Sequence, residues 1–217
     1  EERTLAGILG WSMNTGTVMA GQRLSKEQRY DWLKKFGIGE APDIVLTAEA
    51  SGILTPHEQW DGRQEYTVLF GQGVSQSTLQ TVRAFQSIGN NGVMMQPRLI
   101  DSYINPDGTE EIVPAQAPRQ IVTPDTARQV RDILESAVTE GQIKEAGLDG
   151  YRVGAKTGTS QSPCDDGTAG FCGFTASMVG MAPMDDPRFI VEVVLQRPKG
   201  DIYGISNGPV FRSVMST

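Results

Sequence analysis

The last third of the chain constrains the fold most: three strand-like stretches follow one another there and a helix closes the sequence. Tyr151 to Thr159 is the first stretch, Phe174 to Ala182 the second, and Arg188 to Gln196 the third, a nearly continuous apolar run. Asp185-Asp186-Pro187 supplies the turn between the last two, since Asp bonds its own backbone and Pro presets φ. The segment from about Ser206 to Met215 reads as a terminal helix that packs Val210, Phe211 and Val214. Helices dominate upstream, so the order is helices, an antiparallel group of strands, then a helix. That is an α+β pattern rather than an alternating βαβ one.

The upstream helices announce themselves by their ends. Ser25-Lys26-Glu27-Gln28 is a capping-box pattern, in which the Ser oxygen and the Gln side chain satisfy free amide groups at a helix start. The helix is predicted from Lys26 to about Phe36, stopping at Gly37. A second is capped by Ser77, carries Leu79, Val82, Phe85 and Ile88 along one face, and ends near Gly89. A third has Thr123 as cap and Pro124 at its first position, where a missing N–H costs nothing. Its apolar stripe is Ala127, Val130, Leu134 and Ala137, and Gly141 closes it. A short hairpin is predicted around Asn105-Pro106-Asp107-Gly108. There is no internal repeat, and Ala115 to Pro118 is too short for a linker, so residues 1–217 read as part of one domain.

Composition narrows the function. The chain is 38% apolar and 21% charged, ordinary for a packed domain. Acidic residues outnumber basic ones, 26 to 19, for a net charge of −7, and no Lys/Arg cluster stands out. Nucleic acid is therefore not expected as a partner. No apolar run is long enough to cross a bilayer, and the start does not read as a signal peptide. The opening Glu1-Glu2-Arg3-Thr4-Leu5 reads as a cut inside a longer protein, which would place any membrane anchor outside this chain. Cys164 and Cys172 bracket a Gly/Asp-rich stretch: either a disulfide closes a hairpin there, in an oxidising compartment, or the two thiols are free. Two Cys with one distant His are too few ligands for a metal, and no cofactor is expected.

The chemistry concentrates in Gly154-Ala155-Lys156-Thr157-Gly158-Thr159-Ser160. On a strand edge this run presents an ammonium, two hydroxyls and a Gly that lets a ligand approach the backbone. Far upstream stands Ser12-Met13-Asn14, a Ser-x-Asn in a turn after a short helix. Each motif alone is weak; the pair, in this order and with this strand-and-helix ending, is specific. Other residues attract simpler readings. His57 beside Pro56 reads as a surface or turn residue, and Gly71-Gln72-Gly73 lacks the third Gly and the Lys-Ser/Thr of a phosphate loop. Trp11, Trp32 and Trp60 read as core or cleft-rim residues, and Asp165-Asp166 and Asp185-Asp186 as solvated turns.

With these motifs in hand, the chain resembles the penicillin-binding proteins, which carry Ser-x-x-Lys, Ser-x-Asn and Lys-Thr-Gly in that order. Ser12-Met13-Asn14-Thr15-Gly16, Phe70-Gly71-Gln72-Gly73, Tyr151 to Thr159 and Pro209-Val210-Phe211 are most similar to the class B monofunctional transpeptidases, and the likeness runs over nearly the whole chain. The resemblance implies a β-lactamase/transpeptidase-like α+β fold, an antiparallel sheet flanked by helices. This chain would give three strands and the C-terminal helix, with two first strands missing from it. It implies a peptidoglycan D,D-transpeptidase that works through a serine acyl-enzyme. Ser12, Asn14 and Lys156 would be catalytic, and Thr157, Gly158 and Thr159 would bind substrate. It also implies stem peptides, a lipid-linked precursor and β-lactams as ligands, and as partners the N-terminal half of its own domain, a glycosyltransferase and division or elongation proteins. The catalytic domain would face outward from a bacterial membrane.

One departure from the family pattern is clear: no Ser in the chain has Lys three positions on, so the Ser-x-x-Lys nucleophile motif is absent. The simplest expectation is that the motif precedes Glu1, and residues 1–217 alone would then be inactive. Rival readings are a non-catalytic penicillin-sensing or scaffold domain, and a β-lactamase or D,D-carboxypeptidase on the same fold.

Overall fold

The structure is a computed structural model and describes residues 3–44, 48–200 and 204–217. Glu1 and Glu2, where the chain start was read as a cut, lie outside the described residues. In chain order the elements are α1 (Leu5–Gly10), α2 (Asn14–Gly21), α3 (Lys26–Lys35), β1 (Ile53–Leu54), α4 (Gln64–Thr67), β2 (Val74–Ser75), α5 (Thr78–Gly89) and β3 (Val93–Met94). There follow β4 (Ser102–Ile104), β5 (Glu110–Ile112), β6 (Arg119–Gln120), α6 (Pro124–Thr139), β7 (Gly154–Pro163), β8 (Phe171–Ala182), β9 (Phe189–Gln196) and α7 (Gly208–Met215).

The principal sheet has the order β7-β8-β9, antiparallel throughout, with β7 at one edge. Pairing Lys156 with Val179, and Val179 with Glu192, puts those three side chains in one row. Strand periodicity then divides the sheet into two faces. Ala155, Met178, Val191 and Val193 face α7, where Phe211 is fully buried. On the other face Met181 and Ile190 pack with Ile88 of α5 and Leu134 of α6. Helices thus cover both faces, the α+β layering expected for this order of elements.

The helix starts follow the sequence. Ser25 and Ser77 each close a full capping box, with Gln28 and Gln80, and Thr123 caps α6 ahead of Pro124. Gln80 does more than cap: fully buried, its Nε2 donates to the carbonyls of Gly37, Glu40 and Ser51, fastening α5 to the loop after α3. Asn207 does the same for α7, donating to the carbonyls of Ala176 and Val193.

Three expectations need correcting. The first long strand begins at Gly154, not Tyr151, and continues to Pro163; Tyr151 makes only an isolated bridge to Leu148 around a turn. The second begins at Phe171 rather than Phe174. In α7, Phe211 is buried but Val210 and Val214 are 45% and 51% exposed. They sit four apart on one ridge of the helix, turned away from the ridge that carries Gly208, Phe211 and Met215. The Asn105–Gly108 hairpin is present as β4-β5, and β1-β2 and β3-β6 are two further ribbons that the sequence did not announce.

Candidate active site

Ser12 owes its position to how α1 ends. Ser12 N–H donates to the Leu9 carbonyl at 3.0 Å and Met13 N–H to the Ile8 carbonyl at 2.9 Å. These two bonds make a Schellman turn, with Ser12 where a left-handed glycine usually stands. Ser12 accordingly has φ +50°, uncommon for a residue with a side chain. Asn14 begins α2 immediately afterwards, so both residues of the Ser-x-Asn motif sit at a sharp junction between two helices.

That junction is held against the sheet through α6. Gln142 N–H donates to the Gly10 carbonyl at 3.2 Å, and Gln142 Nε2 to the Trp11 carbonyl at 2.7 Å. The contact is close enough that a Cβ on Gly141 would lie 2.5 Å from the Gly10 carbonyl oxygen. On its other side α6 packs on the start of β7, where a Cβ on Gly154 would meet Leu134 and Met184. Arg152 and Glu135 lock the approach to β7 onto α6 with paired hydrogen bonds of 2.8 and 2.5 Å.

The outcome is a meeting of residues 144 positions apart: Lys156 Nζ donates to Ser12 Oγ at 2.8 Å, and also to the Thr157 carbonyl at 3.0 Å. No carboxylate pairs with this ammonium among the described residues. Burial holds its pKa below the ordinary lysine value of 10.5. Strand alternation sets Lys156 and Gly158 on one face of β7 and Thr157 and Thr159 on the other. All four still border the same cleft, because β7 is the edge strand and presents its outer side as well as its faces. A Cβ on Gly158 would come 2.6 Å from Ser177 Oγ, so a side chain here would require the Ser177 hydroxyl to turn away.

The cleft has a volume of about 1160 Å³ and is bordered by Ser12, Asn14 and the run from Lys156 to Gln161. Every residue nominated as catalytic or substrate-binding therefore borders one cavity: Ser12 and Asn14 on one wall, Lys156, Thr157, Gly158 and Thr159 on the other. Gly71-Gln72-Gly73 also line it, as does Trp11, 47% exposed at the rim; Trp60, by contrast, is buried and donates Nε1 to the Thr55 carbonyl. His57 lies in a single 3-10 turn and packs edge-on against Tyr30. Sequence reasoning missed Asp61, Arg63, Gln142 and Phe171 as cleft residues. They come from loops and element ends, where no periodic pattern marks them. Cys164 and Cys172, left open between free and bonded, are joined as a disulfide. Among the described residues no cluster of His, Cys, Asp or Glu could hold a metal, and no helix is long and apolar enough to cross a membrane.

An antiparallel sheet whose edge strand turns a Lys-Thr-Gly-Thr run toward a Ser-x-Asn turn defines the transpeptidase and β-lactamase class of fold. The family model of the penicillin binding protein transpeptidase domain matches residues 1–216, and the chain belongs to that family, in its class B. It is 38% identical to stage V sporulation protein D of Bacillus subtilis over 98% of this chain and 33% of that protein. It is 34% identical to penicillin-binding protein PbpB of Mycolicibacterium smegmatis over 98% of this chain and 35% of that protein. Apo penicillin-binding protein 3 from Mycobacterium tuberculosis superposes with a TM-score of 0.91 at 32% identity, covering 98% of this chain and 50% of the other. That protein has also been solved in complex with ampicillin. The chain thus spans about a third of the length of these curated relatives.

Proposed function

We propose that the full-length protein is a peptidoglycan D,D-transpeptidase that cross-links stem peptides through a serine acyl-enzyme and is acylated by β-lactams. The observation that carries this reading is the 2.8 Å hydrogen bond from Lys156 Nζ to Ser12 Oγ, which joins the two motifs across one cleft. A relative 30% identical over 99% of this chain, from Escherichia coli, bears the name peptidoglycan D,D-transpeptidase FtsI, which supports the same activity.

The chemistry follows from the groups at hand. A serine supplied by the N-terminal half of the domain attacks the carbonyl of a D-alanyl-D-alanine stem. Its proton passes through a base to Ser12 and on to the leaving amine, so D-alanine departs and an ester remains. An amine of a second stem attacks that ester, restoring the serine and leaving a new amide, the cross-link. Two easier steps replace one hard one. The Lys156 ammonium draws the anionic terminus into the cleft and tunes Ser12. Thr157 and Thr159 hydroxyls bind the terminal carboxylate, and Gly158 allows its close approach. The Thr159 N–H serves the oxyanion, where one such donor is typically worth roughly 3–4 kcal/mol. Asn14, whose side chain makes no hydrogen bond among the described residues, holds the substrate amide and the missing lysine.

The substrate is a stem peptide on a lipid-linked precursor or nascent strand, so a glycosyltransferase and division or elongation proteins are the expected partners. The site belongs outside the bacterial membrane, with the anchor beyond this chain; the Cys164–Cys172 bond fits that oxidising side. Fluorescent penicillin tests the reading. The full-length protein is expected to form a lasting covalent adduct and residues 1–217 none. No adduct on the full-length protein would favour a scaffold, and rapid turnover a hydrolase.

A further inference from the structure

We propose that the Cys164–Cys172 disulfide is a positioning device for the mouth of the cleft: it sets Phe171 against bound ligand and so governs affinity rather than the chemical step. The inference rests on the transpeptidase reading above and goes beyond it.

The far end of the β7-β8 hairpin is poorly held by its own ladder. Pairing runs unbroken from Gly154–Met181 to Gln161–Phe174, then slips, and resumes only at Pro163–Phe171. Pro163 has no N–H to donate, so the last rung is weak. Gly170 and Gly173 bracket Phe171-Cys172 and have no side chains to pack. Beyond Pro163 a single backbone bond, Cys164 N–H to the Gly170 carbonyl at 3.4 Å, crosses the hairpin. The covalent link sits at this spot, closing a sequence separation of eight. Arg197 braces the same end, reaching the Pro163 carbonyl and the Asp165 carboxylate.

Phe171 is what this end holds out. It is 62% exposed, borders the cleft, and stacks on no other ring among the described residues. Its neighbour Cys172 fixes its backbone. Lys156 and Ser12, by contrast, are secured through α6 and the α1 turn at the opposite end of β7, through Gln142 and Gly141. Opening the disulfide therefore leaves Phe171 held only by the weak last rung and the Arg197 brace, loosening it while the Lys156–Ser12 contact stays in place. The phenyl ring offers apolar area to the side chain of a stem peptide or β-lactam, and losing it weakens binding about tenfold, the effect of one modest apolar contact.

The test uses the full-length protein, a fluorescent penicillin and rapid-mixing kinetics, which separate the apparent dissociation constant from the maximal acylation rate. Dithiothreitol gives two electrons and two protons to the exposed disulfide, yielding two thiols and its own cyclic disulfide. Reduction is expected to raise the dissociation constant about tenfold and leave the maximal rate within about twofold. The C164S/C172S variant should match the reduced protein and ignore dithiothreitol, and Phe171→Ala should show the same weakened binding. Labelling that ignores dithiothreitol in the natural protein, or a loss confined to the maximal rate, overturns this inference alone. Absence of any labelling in the oxidised protein overturns the transpeptidase reading and the inference with it.

Discussion

Ser12 shows at the scale of one residue how a site is held in tension with its fold. Its φ of +50° suits glycine, yet the hydroxyl is needed for the 2.8 Å contact with Lys156. Ser12→Gly should therefore raise stability by about 0.5–1 kcal/mol, since the left-handed position no longer carries a Cβ. In the full-length protein it should also lower acylation by roughly a hundredfold or more, the loss that the proposed proton relay through Ser12 entails. Thermal unfolding and penicillin labelling read the two effects separately. Lys156 gives the pH dependence. Burial favours its neutral form, so the ammonium is lost, and acylation falls, at a pH below its ordinary 10.5. For stability the sign is opposite: between the folded pKa and 10.5 the unfolded chain binds more protons, so stability rises with pH there. An alkaline limb of the acylation profile at or above 10.5 would contradict the desolvated environment.

At the scale of elements, the close contact of α1 with α6 is what carries Ser12 to the sheet. Gly141→Ala would push its Cβ to within 2.5 Å of the Gly10 carbonyl oxygen and 2.6 Å of the Ala137 carbonyl oxygen. The expected result is a displaced α1 turn and acylation slowed by roughly ten- to a hundredfold. Normal acylation kinetics in this variant would show that α6 does not position Ser12. On β9, Glu192 lies on the sheet face toward α5, and burial raises its pKa to about 7 from 4.5. The native state keeps its proton where the unfolded chain has lost it, so stability falls as pH rises from 4.5 to about 7 and then levels. Glu192→Gln should gain about 1–2 kcal/mol at pH 8, after discount for partial solvent access, and little at pH 4.5. Urea unfolding at the two pH values measures it.

Helix starts were legible because caps are local: Ser25 with Gln28, Ser77, and Thr123 with Pro124 satisfy their own amide groups. Strand limits were not, because β7 starts where Gly154 passes beneath Met184 and Leu134, a contact that depends on distant chain. The exposure of Val210 and Val214 escaped for the same reason: hydrophobicity marks a candidate for burial, and only packing decides which ridge is covered.

For the whole molecule, the pairing of Ser12-x-Asn14 with the Lys156 strand was legible only as a pair of motifs in order, since no local rule joins residues 144 apart. Arg63, Gln142 and Phe171 reach the cleft from loops and element ends and left no pattern to read. The central claim is that this cleft is one half of a transpeptidase centre completed by a serine from elsewhere in the same protein. Mass-spectrometric mapping of the penicillin adduct on the full-length protein, with and without Lys156→Ala, tests it most directly. The account predicts an adduct on a serine outside residues 1–217, and acylation slowed by about a hundredfold or more in Lys156→Ala. An adduct on any serine within residues 1–217, or unchanged acylation in Lys156→Ala, would contradict it.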